Sequence, residues 1–131
     1  MANILLIDDN PGLLKMQVEF LRHAGHGVTT AANGKEGVQL GRSRPFDLLI
    51  TDIIMPEKDG IEVIVELRRA IPRMKIIAIS GGGRIGPSDY LDLAHKLGAA
   101  TTLTKPFSGK DLVDAVAALL ACESPMKTET G

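Results

Sequence analysis

The chain alternates short, continuous apolar runs with segments of helical periodicity from one end to the other. Ile4-Leu5-Leu6-Ile7 is closed by Asp8-Asp9-Asn10-Pro11-Gly12. Leu48-Leu49-Ile50-Thr51 leads into Asp52, and Ile76-Ile77-Ala78-Ile79 leads into Ser80 and three glycines. Apolar runs this short, ended by turn residues, are the mark of strands buried on both faces. Val28-Thr29-Thr30 and Thr101-Thr102-Leu103 are β-branched but less apolar, which suits outer strands.

The intervening segments read as helices. Leu14, Val18 and Leu21 recur at i, i+4 and i+7 behind Pro11, a residue suited to a first helical turn. A short helix follows Asn33-Gly34 through Val38 and Leu40. Ile61, Ile64, Val65 and Leu67 mark a third, between Asp59-Gly60 and Pro72. A fourth is expected over about 88–97, carrying Leu91, Ala94 and Leu97, with Gly98 as its stop. The last has Leu112, Val113, Val116, Leu119 and Leu120 on one face and Ser108 as its N-cap. Strand and helix alternate five times. That order predicts an α/β protein, a doubly wound (βα)5 fold with a five-stranded parallel sheet and crossover helices on both faces. No short fixed period recurs, which argues against a solenoid.

A length of 131 residues accommodates one domain, assigned to 1–121, with 122–131 read as a disordered tail or linker remnant. Fifteen Lys and Arg against 16 Asp and Glu leave a net charge of -1, which provides no cationic footprint for direct nucleic-acid binding. No apolar run is long enough for a membrane span, so no membrane partner is expected. The lone Cys122 cannot form an intramolecular disulfide, which favours a reducing compartment and a cytoplasmic location.

Ligands of an open parallel sheet sit beyond the C-terminal ends of its strands. Strand one ends in Asp8-Asp9, strand three in Asp52, strand four in Ser80 and strand five in Thr104-Lys105-Pro106. Each has an ordinary reading when taken singly: a helix cap, a turn residue, a loop serine, a solvated cation. Their shared placement is what matters. Three crowded carboxylates cannot all stay ionised without a counter-charge. A hard divalent ion with oxygen ligands, Mg²⁺ above all, relieves the repulsion, and Lys105 adds a fixed positive charge. Such a site suits a dianionic phosphoryl group, with a carboxylate as nucleophile.

Asp8-Asp9-Asn10, the string Thr51-Asp52-Ile53-Ile54-Met55-Pro56 with Asp59-Gly60, then Ser80, and finally Lys105-Pro106-Phe107 together resemble the receiver domain of response regulators, over residues 3 to 120. The resemblance implies a flavodoxin-like fold with strand order 2-1-3-4-5, as in chemotaxis receivers. It implies that Asp52 accepts phosphoryl from a histidine kinase or histidine phosphotransfer protein. Asp9 would bind Mg²⁺ directly and Asp8 mainly through water, and the Ile54 carbonyl would complete the protein ligands. Lys105 would hold one phosphoryl oxygen and Ser80 would swing in on another. Pro106 would follow a cis bond that aims the lysine inward. On this view the chain is a signalling domain, not an enzyme acting on a separate substrate. Phosphorylation would switch the face built from the 88–97 segment, the fifth strand and the last helix. A downstream protein target, a missing output domain or a second copy of the chain would read that face. Thr102 stands where many relatives carry an aromatic switch residue, and Ile54 is apolar where many are polar and could shield an acyl phosphate from water.

Other readings remain open from sequence. Gly81, Gly83 and Gly86 satisfy a dinucleotide-binding pattern, but after the fourth strand and with Pro87 next. A Mg²⁺-dependent phosphohydrolase would need a second acid two residues after Asp52, where Ile54 stands. A pseudo-receiver would keep the fold without phosphorylation. His23, His26 and His95 read as solvated residues, not as a metal set.

Overall fold

The computed structural model describes residues 2–53, 60–80, 96, 98–105 and 107–121. Within them run β1 (Asn3–Ile7), α1 (Pro11–His23), β2 (Gly27–Ala31), α2 (Gly34–Ser43), β3 (Leu48–Asp52), α3 (Gly60–Ala70), β4 (Lys75–Ser80), β5 (Thr101–Thr104) and the C-terminal helix α4 (Gly109–Ala121). The five strands form one sheet in the order β2-β1-β3-β4-β5, parallel at every pairing. Class and strand order are those expected. The two β-branched strands do lie at the edges, and the three apolar runs fill the centre. The helix expected over 88–97 lies outside the described residues, apart from Lys96, which is helical.

Alternation along the central strands divides the core in two. Leu5, Ile7, Leu49, Ile76 and Ala78 point to one side, where Val38 of α2 and Val63, Ile64 and Leu67 of α3 cover them. Ile4, Leu6, Leu48, Ile50, Ile77 and Ile79 point to the other, beneath Leu21 of α1 and Leu112 and Val116 of α4. All eleven of these strand residues are at most 1% exposed, so each leucine and isoleucine among them contributes roughly 1.5–3 kcal/mol of burial and no face of the central sheet meets water.

Local signals set the helix starts. Asn10 caps α1 by accepting from the Leu13 amide at 3.1 Å, with Pro11 as the first helical residue. Asn33 accepts from the Glu36 amide at 2.8 Å, while Glu36 accepts from the Ala32 amide at 2.9 Å. At α4 the exchange is a full capping box. Ser108 Oγ accepts from the Asp111 amide at 3.0 Å, and Asp111 Oδ2 accepts from the Ser108 amide at 3.2 Å. Gly98 takes φ 127, a left-handed conformation that costs glycine little, just ahead of β5. One expectation needs correction. His26 is half-buried rather than solvated, because its Nδ1 accepts from the Ala2 amide at 3.2 Å where β1 begins. His23 is exposed, and His95 falls outside the described residues.

Candidate functional site

Strand register brings the polar termini together. Ile7 pairs with Thr51, Thr51 with Ala78, and Ala78 with Thr102, so the central strands run level. The next positions are Asp8, Asp52, Ile79 and Leu103, and the ones after those are Asp9, Ile53, Ser80 and Thr104. Consecutive residues alternate in direction at a strand end. Asp8 is accordingly buried, whereas Asp9 is exposed. The loop after β5 is tied back by the Lys105 amide, which donates to the Ser80 carbonyl at 2.7 Å. That bond carries the Lys105 side chain over the ends of β1 and β3.

Lys105 Nζ lies 2.9 Å from Asp52 Oδ2 and 3.4 Å from Asp8 Oδ2. The other Asp8 oxygen, Oδ1, accepts from the Asn10 amide at 2.9 Å, which fixes that carboxylate between backbone and lysine. One carboxylate oxygen from each of Asp8, Asp9 and Asp52 lies within 4.8 Å of the others. Asp8 and Asp52 are 1% and 4% exposed, so their charges are largely cut off from water. Burial lowers the Lys105 pKa. The hydrogen bond and charge of Asp52, with the charge and hydrogen bond of Asp8, outweigh it and hold the ammonium above its ordinary value. Ser80 is fully buried at the end of β4, and its Oγ has no hydrogen-bond partner among the described residues.

Asp8, Asp9, Asp52, Ser80 and Lys105 therefore stand at one edge of the sheet. Ile54 and Pro106 lie outside the described residues, as do Gly81, Gly83 and Gly86 of the dinucleotide pattern. The donor set is oxygen throughout, with an exposed Asp9 as an entry, which fits a hard divalent cation and no soft metal. A separate cavity of about 440 Å³ opens at the opposite edge, beside Phe46, Ile71, Met74 and Leu120. Among the described residues it gathers a single carboxylate, Asp47, against the three that meet at the Asp52 end.

A doubly wound parallel sheet in this strand order, with acidic residues and a lysine at the carboxyl ends of its strands, has the flavodoxin-like plan. The family model for the response regulator receiver domain matches residues 4–117. The chain belongs to this family. It is 35% identical over 120 residues to the response regulator receiver protein CpdR of Brucella abortus, covering 92% of this chain and 98% of that one. It is 34% identical over 128 residues to the transcriptional regulatory protein GlrR of Escherichia coli, covering 98% of this chain but 28% of that protein. The chain thus spans less than a third of that transcriptional regulator. Among solved structures it superposes on a response regulator receiver domain protein of Clostridium thermocellum with a TM-score of 0.85 and 32% identity, over 92% of this chain and 95% of the other. A CheY-like receiver domain protein of Methanospirillum hungatei matches with a TM-score of 0.84 and 25% identity, over 100% and 99%. Among the described residues no helix is long and apolar enough to cross a membrane.

Proposed function

We propose that this chain is a phospho-accepting receiver in which Asp52 takes a phosphoryl group from the phosphohistidine of a histidine kinase or a histidine phosphotransfer protein. One observation carries the reading: three carboxylates converge within 4.8 Å while Lys105 sits 2.9 Å from the central one, Asp52. Asp8, Asp9 and Asp52 would hold Mg²⁺, which supplies charge neutralisation for the incoming phosphoryl oxygens. An Asp52 oxygen forms the new P–O bond as the P–N bond breaks and the imidazole keeps the electron pair. The Lys105 ammonium exchanges its Asp52 carboxylate partner for a phosphoryl oxygen. The Ser80 hydroxyl, which has no partner among the described residues, donates to another. Asp8, held by the Asn10 amide and by Lys105, orients the cluster and does not react.

The output is a change of surface. A backbone hydrogen bond joins Lys105 to Ser80, so drawing Ser80 toward a phosphoryl group displaces the ends of β4 and β5 together. A protein target, an attached output domain or a second copy reads the altered face beside β5 and α4. Intact-mass spectrometry after treatment with acetyl phosphate and Mg²⁺ tests the assignment. The parent gains one phosphoryl group and Asp52→Asn gains none. A parent that stays unmodified, or a variant that is still modified, overturns it.

A further inference from the structure

Thr51 is fully buried on the central strand, immediately before the phosphoacceptor, and the mechanism above gives it no part. Its side chain alternates with that of Asp52 and shares the direction of Leu49, toward α2 and α3. Valine would fill that place without a polar atom, whereas a buried hydroxyl costs free energy unless it is hydrogen-bonded. Thr51 Oγ1 donates to the Asp52 carbonyl at 3.0 Å.

The opposite edge of the same peptide unit is also held. The Ile53 amide donates to the Ile79 carbonyl at 2.8 Å. One face is covered as well: a Cβ on Gly60 would stand 2.2 Å from the Asp52 carbonyl oxygen, 2.9 Å from its carbon and 2.6 Å from Ile53 Cα. The bare Cα of Gly60 is what lets α3 close on this peptide. The Gly60 amide also donates to the Ile53 carbonyl at 2.7 Å, fixing the next unit. A peptide is planar, so holding both edges and one face sets ψ of Asp52 and φ of Ile53 together.

Resting on the phosphoacceptor reading, we propose that Thr51 is a positioning residue. Its hydroxyl, with Gly60 and the Ile79 carbonyl, locks the peptide that joins Asp52 to Ile53. That lock fixes the Asp52 carboxylate against Lys105 and Asp8 and sets the direction in which the chain leaves the phosphoacceptor. Reaction rates are sensitive to such placement, since a misplacement of about 1 Å costs on the order of 10²-fold.

Three variants of the full chain test this: Thr51→Val, which keeps the shape and removes the hydroxyl, Thr51→Ser, which keeps the hydroxyl and removes the methyl, and Asp52→Asn. Two quantities are read. The first is amide hydrogen exchange at Ile53 relative to Ile50, with chelator present and no phosphodonor. The second is the rate of acyl phosphate formation from acetyl phosphate and Mg²⁺. Thr51→Val is expected to speed relative exchange at Ile53 about 10-fold and to slow phosphorylation by about 10- to 100-fold. Thr51→Ser is expected to stay near the parent in both. If either quantity is unchanged in Thr51→Val, or if Thr51→Ser behaves like Thr51→Val, the proposal is overturned. Should Thr51→Val not fold, Thr51→Ala replaces it in the same comparison with Thr51→Ser. A parent that takes no phosphoryl group sinks the phosphoacceptor reading instead, and exchange at Ile53 then judges the lock by itself.

Discussion

Lys105 spans the end of the sheet to meet Asp52, Nζ to Oδ2 at 2.9 Å, from a loop that follows a different strand. The same ammonium stands 3.4 Å from Asp8 Oδ2. With Asp9 counted, three negative charges meet one positive charge, which leaves the cluster two charges negative. Such a cluster holds together without help only at an electrostatic cost, and a divalent cation cancels the excess. The lysine alone is enough to keep the buried Asp52 and Asp8 from facing each other unpaired.

The lysine pairing gives stability a definite pH dependence. Burial opposes the Lys105 charge, but Asp52 and Asp8 win and raise its pKa above the ordinary 10.5. A group whose pKa rises on folding contributes its stability fully below the unfolded value and loses it as pH climbs through the folded one. The contribution is therefore complete at neutral pH and fades only on the alkaline side of 10.5. Near neutral pH, Lys105→Met is expected to lower unfolding stability by about 2–3 kcal/mol. That is at or below the usual cost of breaking a buried pair, because Lys105 is 21% exposed. Urea titrations in chelator, run from neutral pH to well above 10.5, should show the gap between parent and variant closing. A gap that stays constant across that range means the loss is one of packing, not of charge.

Metal linkage separates Asp9 from its neighbours. Asp9 is exposed, and among the described residues no hydrogen bond or ion pair holds its carboxylate, whereas Asp8 and Asp52 both engage Lys105. Mg²⁺ at about 100 times its dissociation constant is expected to raise unfolding free energy by about 2.7 kcal/mol through binding to the folded state. Asp9→Asn should lose most of that gain while shifting the metal-free stability by no more than about 0.5 kcal/mol. Thermal melts with Mg²⁺ and with chelator give both numbers. An undiminished Mg²⁺ response in the variant removes Asp9 from the ligand set.

Ser80 carries a buried hydroxyl with no partner among the described residues. Ser80→Ala is therefore expected to stabilise the unphosphorylated form, by about 1 kcal/mol, because an unsatisfied buried polar group is removed. Phosphorylation should still proceed, but the amide NMR shifts it induces near β5 should shrink. A variant less stable than the parent, or one with a full set of shifts, contradicts the switch role.

Much of this was legible in the order of residues. Central strands are covered on both sides, so Ile4–Ile7, Leu48–Thr51 and Ile76–Ile79 read as unbroken apolar runs, and the polar residue ending each run had to fall at one edge. Asn33 and Ser108 announced their helices because capping is a local interaction. Long-range pairing was not legible. Nothing in the spacing says that Lys105 engages Asp8 as well as Asp52, since that depends on the Lys105 amide reaching the Ser80 carbonyl. Val63 was missed as core because α3 packs on both the sheet and α2, which widens its buried arc beyond one narrow stripe. Thr51 reads only as part of a motif, because nothing in the residue order says that its hydroxyl turns onto the carbonyl of Asp52.

Gln17 is the largest departure from pattern, and it yields the remaining prediction. A glutamine one turn from Leu14 and Leu21 reads as a polar edge to the α1 stripe, yet it is fully buried. Neither Nε2 nor Oε1 has a hydrogen-bond partner among the described residues. Burying an amide in this way costs roughly 1–3 kcal/mol, which methionine avoids at nearly the same length and volume. Gln17→Met is thus expected to raise unfolding free energy by about 1–3 kcal/mol with an unchanged dependence on urea concentration. Phosphorylation of Asp52 should be little changed, because Gln17 stands seven residues along α1 from Asn10, whose amide holds Asp8, a separation of roughly 10 Å at the rise of an α-helix. If the variant is instead destabilised, the amide must be satisfied in solution by groups that come to it there, and the α1–α4 layer is then held by a polar contact and not by apolar packing alone.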